Sequence, residues 1–204
     1  RDSSYHEGAL FLSATFGGVQ GSYCLAMPVT GDLAMAHGRE RFGYPKKMAN
    51  ISFKRSGNRV EGHIERHGVR FFQLHARLTG KPNTEEFQNV ALSWAGDQGV
   101  VIYNFKHFPG PAIAGPECLD YSPRLVRQRC PLRPRVAELG EAQVTLAHSP
   151  HDPWSEVEIV TILGSVYTVG HNTMLPGEVV AETDAATFAP YSFCLLYTSD
   201  AADE

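Results

Sequence analysis

Hydrophobic and polar residues alternate most regularly across residues 70–79, where Phe72, Leu74, Ala76 and Leu78 are interleaved with Gln73, His75 and Arg77. Successive side chains on a strand point to opposite faces, so this period of two predicts a half-buried strand. Shorter stretches at 51–54 and 59–66 read the same way. The triplet "SGN" separates those two, and His67-Gly68 separates the second from the long strand, which predicts a meander of hairpins. Further strands are expected at 89–94, 100–106, 143–148 and 156–163, punctuated by loops such as "HFPGPAIAGPE". The run "SYCLAMPV" also reads as strand. The glycines of "FGGVQG" just before it therefore belong to a tight turn or bulge, not to a phosphate loop, which should open a helix. A helix is expected over 32–41, with Leu33, Ala36 and His37 on one face, Thr30 as its cap and Pro45 as its stop. Many short strands and few helices predict a β-sandwich or a closed barrel.

Length and composition narrow this further. The chain has 204 residues, enough for one domain with a real core. No apolar run approaches membrane-spanning length and no signal-peptide pattern opens the chain, so no membrane partner is expected. The first residue is Arg1 within what reads as structured sequence, so the chain reads as an N-terminally truncated fragment. Its last stretch, "CLLYTSDAADE" at 194–204, resembles a translated sequencing adapter, which leaves 1–193 as the domain. Without Asp200, Asp203 and Glu204 the net charge moves from −4 to −1. A near-neutral chain with no basic stripe excludes the usual nucleic-acid binders. Cys24, Cys118 and Cys130 are scattered and form neither a disulfide framework nor a metal spacing, which favours a reducing, cytoplasmic setting. His63 and His67 lie in strand-and-turn sequence, and "HSPHD" at 148–152 reads as a polar loop, so no metal is assigned.

One stretch resists a bland reading. In "FGYPKKMANISF" two adjacent lysines, Lys46 and Lys47, follow a rigid Tyr-Pro lead-in and sit among Phe42, Tyr44, Met48 and Ile51. A protonated lysine is a poor nucleophile. Burial and a nearby positive charge both favour the neutral amine, which can attack a ketone carbonyl to give an electron-withdrawing iminium. Adjacent residues on an extended strand face opposite ways, which would turn Lys47 away from a pocket entered by Lys46.

The order and spacing of "TFGGVQGSY", "GRE", "YPKKMA", "WSEVEIV" and "MLPGEVV" resemble the acetoacetate decarboxylase family over most of residues 2–193. That family is the known instance of a lysine activated by a neighbouring cation. The resemblance implies a mainly β (α+β) domain, a closed or nearly closed antiparallel barrel with a few short helices. It implies that Lys46 forms the Schiff base, that Lys47 helps to hold its amine neutral, and that Glu7 positions substrate or handles protons. Met27 and Tyr44 become candidate pocket walls, and Arg39 and Glu40 a structural ion pair closing the helix. It also implies a small-molecule keto acid as ligand, a homo-oligomer, and no cofactor, because the lysine is itself the electron sink. Decarboxylation of a β-keto acid, acetoacetate by default, is the leading expectation. A Schiff-base aldolase or dehydratase of a 2-oxo acid and a non-catalytic ligand-binding barrel are the alternatives. The family pattern carries an arginine and a second glutamate upstream of Glu7 that are not in this sequence, so turnover is expected to suffer more than imine formation.

Overall fold

The computed structural model describes residues 4–87, 90, 96–112 and 119–189. Ten strands form one mixed sheet: β1 (Leu10–Phe16), β2 (Val19–Val29), β3 (Lys46–Met48), β4 (Asn50–Ser56), β5 (Arg59–Arg66), β6 (Val69–Arg77), β7 (Gly96–Lys106), β8 (Arg124–Leu146), β9 (Ser165–Asn172) and β10 (Glu178–Glu182). Helix α1 (Asp32–Phe42) precedes β3, and α2 (Ala185–Phe188) follows β10. The main path runs β1-β2-β7-β8-β6-β5-β4, with β3 on β2 and both β9 and β10 on β8.

The mainly β class with few helices is as the sequence suggests, but the closure and the uniform antiparallel pairing are not. Among the described residues the path has two ends, β1 and β4, so the sheet does not close into a barrel. Two ladders, β2–β3 and β2–β7, are parallel. The reason lies in β8, a 23-residue strand that serves as a spine. Its first part pairs with β7 and β10, its middle with β9 and its last part with β6. One strand thus carries four neighbours in succession, and the sheet extends along it.

The hairpin series β4–β5–β6 is the predicted meander, with left-handed Gly57 and Gly68 in its turns. Gly17 and Gly18, both at positive φ, turn β1 into β2, as read from "FGGVQG". The strand expected at 156–163 is not formed. A 3-10 turn covers Trp154–Glu156, and no strand or helix follows until β9 begins at Ser165. Ile159 and Val160 are exposed there, so the alternating pattern finds no face to bury. The strand expected at 89–94 lies outside the described residues apart from Val90, as does the tail at 194–204.

Helix α1 occupies its expected place for other reasons than those expected. Leu33 is 71% exposed, and the buried residue is Gly38. Gly31 is the N-cap, and Thr30 is used elsewhere: its Oγ1 accepts a hydrogen bond from the His6 N–H at 2.9 Å. The helix stops before Pro45, at Gly43, which is left-handed at φ 78 and returns its N–H to the Arg39 carbonyl. A Cβ there would meet the Lys106 backbone at 2.6 Å, so sterics and conformation both require glycine.

Candidate active site

The last residues of β2 organise the site by holding a different segment on each edge. On one edge, Glu7 forms a bridge with Val29, reinforced by hydrogen bonds from Gly8 N to Pro28 O and from Thr30 N to His6 O. On the other edge, β3 runs parallel, with Met27 opposite Lys46 and Pro28 opposite Lys47. Two residues far apart in sequence are thereby aimed at one point. The Lys46 Nζ donates to the Glu7 Oε2 at 2.7 Å. Lys46 is 6% exposed, while the Glu7 side chain is a third exposed, so the amine is enclosed and its partner reaches solvent.

The walls around the amine are aromatic and apolar. Its Nζ lies 5.4 Å from the centre of the Tyr5 ring and 5.8 Å from that of Tyr44. The buried Tyr44 hydroxyl donates to Gln128 Oε1 at 2.7 Å, and Gln128 Nε2 donates to the Leu175 carbonyl, so the ring is fixed through its polar tip. Burial pushes the Tyr44 phenol well above its ordinary range, with Cys130 and Cys24 adding to the shift. Burial also raises Tyr5, and the Glu7 carboxylate raises it further. Both phenols are neutral near pH 7 and serve as hydrogen-bonding surfaces. Lys46, Glu7, Met27 and Tyr44 all line one cavity of about 390 Å³, together with Cys130 and Ile102.

Lys47 faces the other way, as strand alternation requires. Its Nζ lies 3.5 Å from Asp152 Oδ1 and donates to the His151 carbonyl at 3.4 Å. Asp152 is nearly buried and also accepts from Arg66 Nη1 at 3.1 Å, while Arg66 Nε donates to the Met48 carbonyl. The backbone N–H groups of His151 and Asp152 both donate to Ser149 Oγ, which shapes the loop that presents the carboxylate. "HSPHD" is therefore the anchor for β3. Among the described residues no group of three or more metal-ligating side chains forms. Lys47, Arg66 and Asp152 line a second cavity of about 520 Å³, which Lys46 also borders, along with Arg39 and Trp154. Glu40 is exposed on α1.

Sequence reasoning placed Lys46, Glu7, Met27 and Tyr44 and the structure brings them together. It missed Asp152, Arg66 and Gln128, which act through long-range pairing. The glycine of "GRE" is another contributor: a Cβ on Gly38 would lie 2.6 Å from Lys46 Cε and 2.7 Å from its Cδ. Gly38→Ala should favour the helix by up to about 1 kcal/mol. Yet it must push the lysine stem aside, and a displacement of ~1 Å at a reacting group can cost on the order of 10²-fold in rate. The expected result is an unchanged or raised melting temperature with strongly reduced turnover.

Comparison with known proteins bears on what this constellation is. The family model for acetoacetate decarboxylase matches residues 1–183. The chain belongs to the acetoacetate decarboxylase family. Within that family, it is 25% identical over 177 residues to acetoacetate decarboxylase 1 of Mesorhizobium japonicum, covering 86% of this chain and 67% of the relative. The crystal structure of acetoacetate decarboxylase from Legionella pneumophila superposes with a TM-score of 0.73 at 19% identity, covering 87% of this chain and 67% of that one. The enduracididine biosynthesis enzyme MppR in complex with pyruvate gives 0.67 at 19% identity over 87% of this chain and 67% of its own. These likenesses show an acetoacetate decarboxylase-like fold.

Proposed function

We propose that this protein is a lyase that decarboxylates a β-keto acid through a Schiff base on Lys46, acetoacetate being the reference substrate. The observation that carries the reading is the enclosed Lys46 amine hydrogen-bonded at 2.7 Å to Glu7, in a member of this family. Glu7 is placed to take the proton of Lys46 and leave the free amine, which adds to the ketone carbon. Loss of water gives the iminium. The bond to the carboxylate carbon then breaks, carbon dioxide leaves, and the electron pair passes to the iminium nitrogen to form an enamine. Protonation of the enamine carbon and hydrolysis release the ketone and restore the amine. Tyr5 and Tyr44 flank the nitrogen, and their neutral rings favour the cationic iminium.

A second reading keeps the iminium and changes the bond broken: an aldolase or dehydratase of a 2-oxo acid. The similarity to MppR, solved with pyruvate and also with a condensation product of pyruvate and imidazole 4-carboxaldehyde, favours it. One experiment separates the two. The protein is incubated with acetoacetate or pyruvate, carbon dioxide release is followed, and borohydride is added before peptide mass spectrometry. Carbon dioxide from acetoacetate with a reduced adduct on Lys46 supports decarboxylation. An adduct with pyruvate and no carbon dioxide from acetoacetate supports the second reading. An adduct on Lys47 instead would overturn the assignment of Lys46.

A further inference from the structure

Among the described residues, the cavity on the Glu7 side of Lys46 is larger than acetoacetate requires, and its middle is mostly apolar. Its volume of about 390 Å³ holds roughly a dozen water volumes at ~30 Å³ each, about twice the number of heavy atoms in acetoacetate. The direction of the space is legible from the ladders. Met27 stands opposite Lys46 on β2 and β3. Farther from the amine, Ile102 of β7 stands opposite Ser22 of β2, Cys130 of β8 opposite Val100 of β7, and Asn172 of β9 opposite Leu132 of β8. All of these line the same cavity. The lining thus crosses from β2 to β9, three strand spacings or about 14 Å along the sheet. The polar lining is Glu7 and the two phenols near the amine, Ser22 beside Ile102 and Asn172 at the far end, and the rest of the path is walled by Ile102, Val100, Cys130 and Leu132.

We propose that the substrate is a β-keto acid whose ketone carries an aliphatic or arylalkyl tail several carbons longer than the methyl group of acetoacetate. This rests on the Schiff-base reading above. The ketone carbon condenses with Lys46 near Met27, and the tail lies across β7 and β8 towards Leu132. Cleavage is unchanged: carbon dioxide leaves and the product is the correspondingly longer methyl ketone. The tail is far from the bond that breaks, so it contributes equally to ground and transition states and acts mainly on KM.

The test compares acetoacetate, β-oxohexanoate and β-oxooctanoate by kcat/KM and by borohydride trapping on Lys46. Each added methylene is expected to raise kcat/KM about fourfold, the equivalent of ~0.8 kcal/mol, chiefly by lowering KM. Leu132→Trp, which fills the far end, is expected to lower the β-oxooctanoate-to-acetoacetate ratio of kcat/KM at least tenfold. Val100→Phe is expected to do the same from a different strand, should the first variant not fold. A kcat/KM that is flat or falls with chain length, while acetoacetate still marks Lys46, overturns the tail assignment and leaves the Schiff-base reading standing. An adduct with none of the three acids overturns both.

Discussion

Lys46→Ala is expected to lose turnover by more than roughly 10³-fold and to give no borohydride-trapped adduct, a loss of the size seen when a covalent nucleophile is removed. On the Schiff-base proposal, Glu7 can exchange protons with an amine but cannot form an iminium, and among the described residues lining the cavity Lys46 alone carries an amine. The fold should survive. Lys46 is held in place by the parallel backbone ladder to Met27, which alanine retains, and Glu7 is exposed enough to be hydrated once its partner is gone. Far-UV circular dichroism checks that retention. Lys47→Ala should keep the adduct on Lys46, because the Lys47 amine sits against Asp152 and the His151 carbonyl. An adduct persisting in Lys46→Ala would place the chemistry on another amine.

The largest loss of stability is expected from Asp152→Ala. This carboxylate, 6% exposed, is shared by Lys47 and Arg66, and the Arg66 side chain is itself only 12% exposed. Removing one member of a buried charge cluster leaves the others desolvated without compensation, a change that costs about 3–5 kcal/mol. Lys47 is more exposed and can turn partly to water, which places the expected value towards the low end of that range. The measurement is the urea midpoint at constant m-value. Asp152→Asn keeps the shape and the acceptor oxygen and should lose less. Because Arg66 Nε also holds the Met48 carbonyl, residual activity should fall in both variants even at temperatures where they remain folded.

What the sequence disclosed and what it withheld follow a physical division. The hairpins β4, β5 and β6 were legible because their register depends on neighbours only a turn away and one face of each is half buried. The pair Lys46 and Tyr44 was legible because rigid and apolar residues flank it directly. By contrast β8 was hard to see in its first half, where "RLVRQRCPLRPRV" mixes arginines with Pro131 and Pro134. Proline cannot donate to a ladder and usually argues against an interior strand. Here the pairing with β9 shifts register between Pro134 and Val136, which absorbs the irregularity. Asp152 looked like part of a polar loop because its partners, Lys47 and Arg66, are remote in sequence. Thr30 was misread as a helix cap for the related reason that its hydroxyl serves the segment carrying Glu7, which no local pattern announces.

The division of the site along the chain has an evolutionary corollary. The amine, its Glu7 partner and the rings beside it all come from Tyr5 to Lys46, whereas most of the wall ahead of the amine comes from Val100 onward, with Phe11 and Ser22 completing it. On the Schiff-base proposal, the reacting groups and most of the tail-binding wall therefore come from separate stretches of one gene. Substitutions at Val100 or Leu132 can be sampled by drift or recombination without disturbing the earlier stretch, whereas Gln128 and Ile102 touch it directly: the Tyr44 hydroxyl donates to Gln128 Oε1 at 2.7 Å, and Ile102 packs against the cluster of Met27 and Tyr44. A scaffold arranged this way can acquire new substrates stepwise while the imine-forming apparatus is passed on intact.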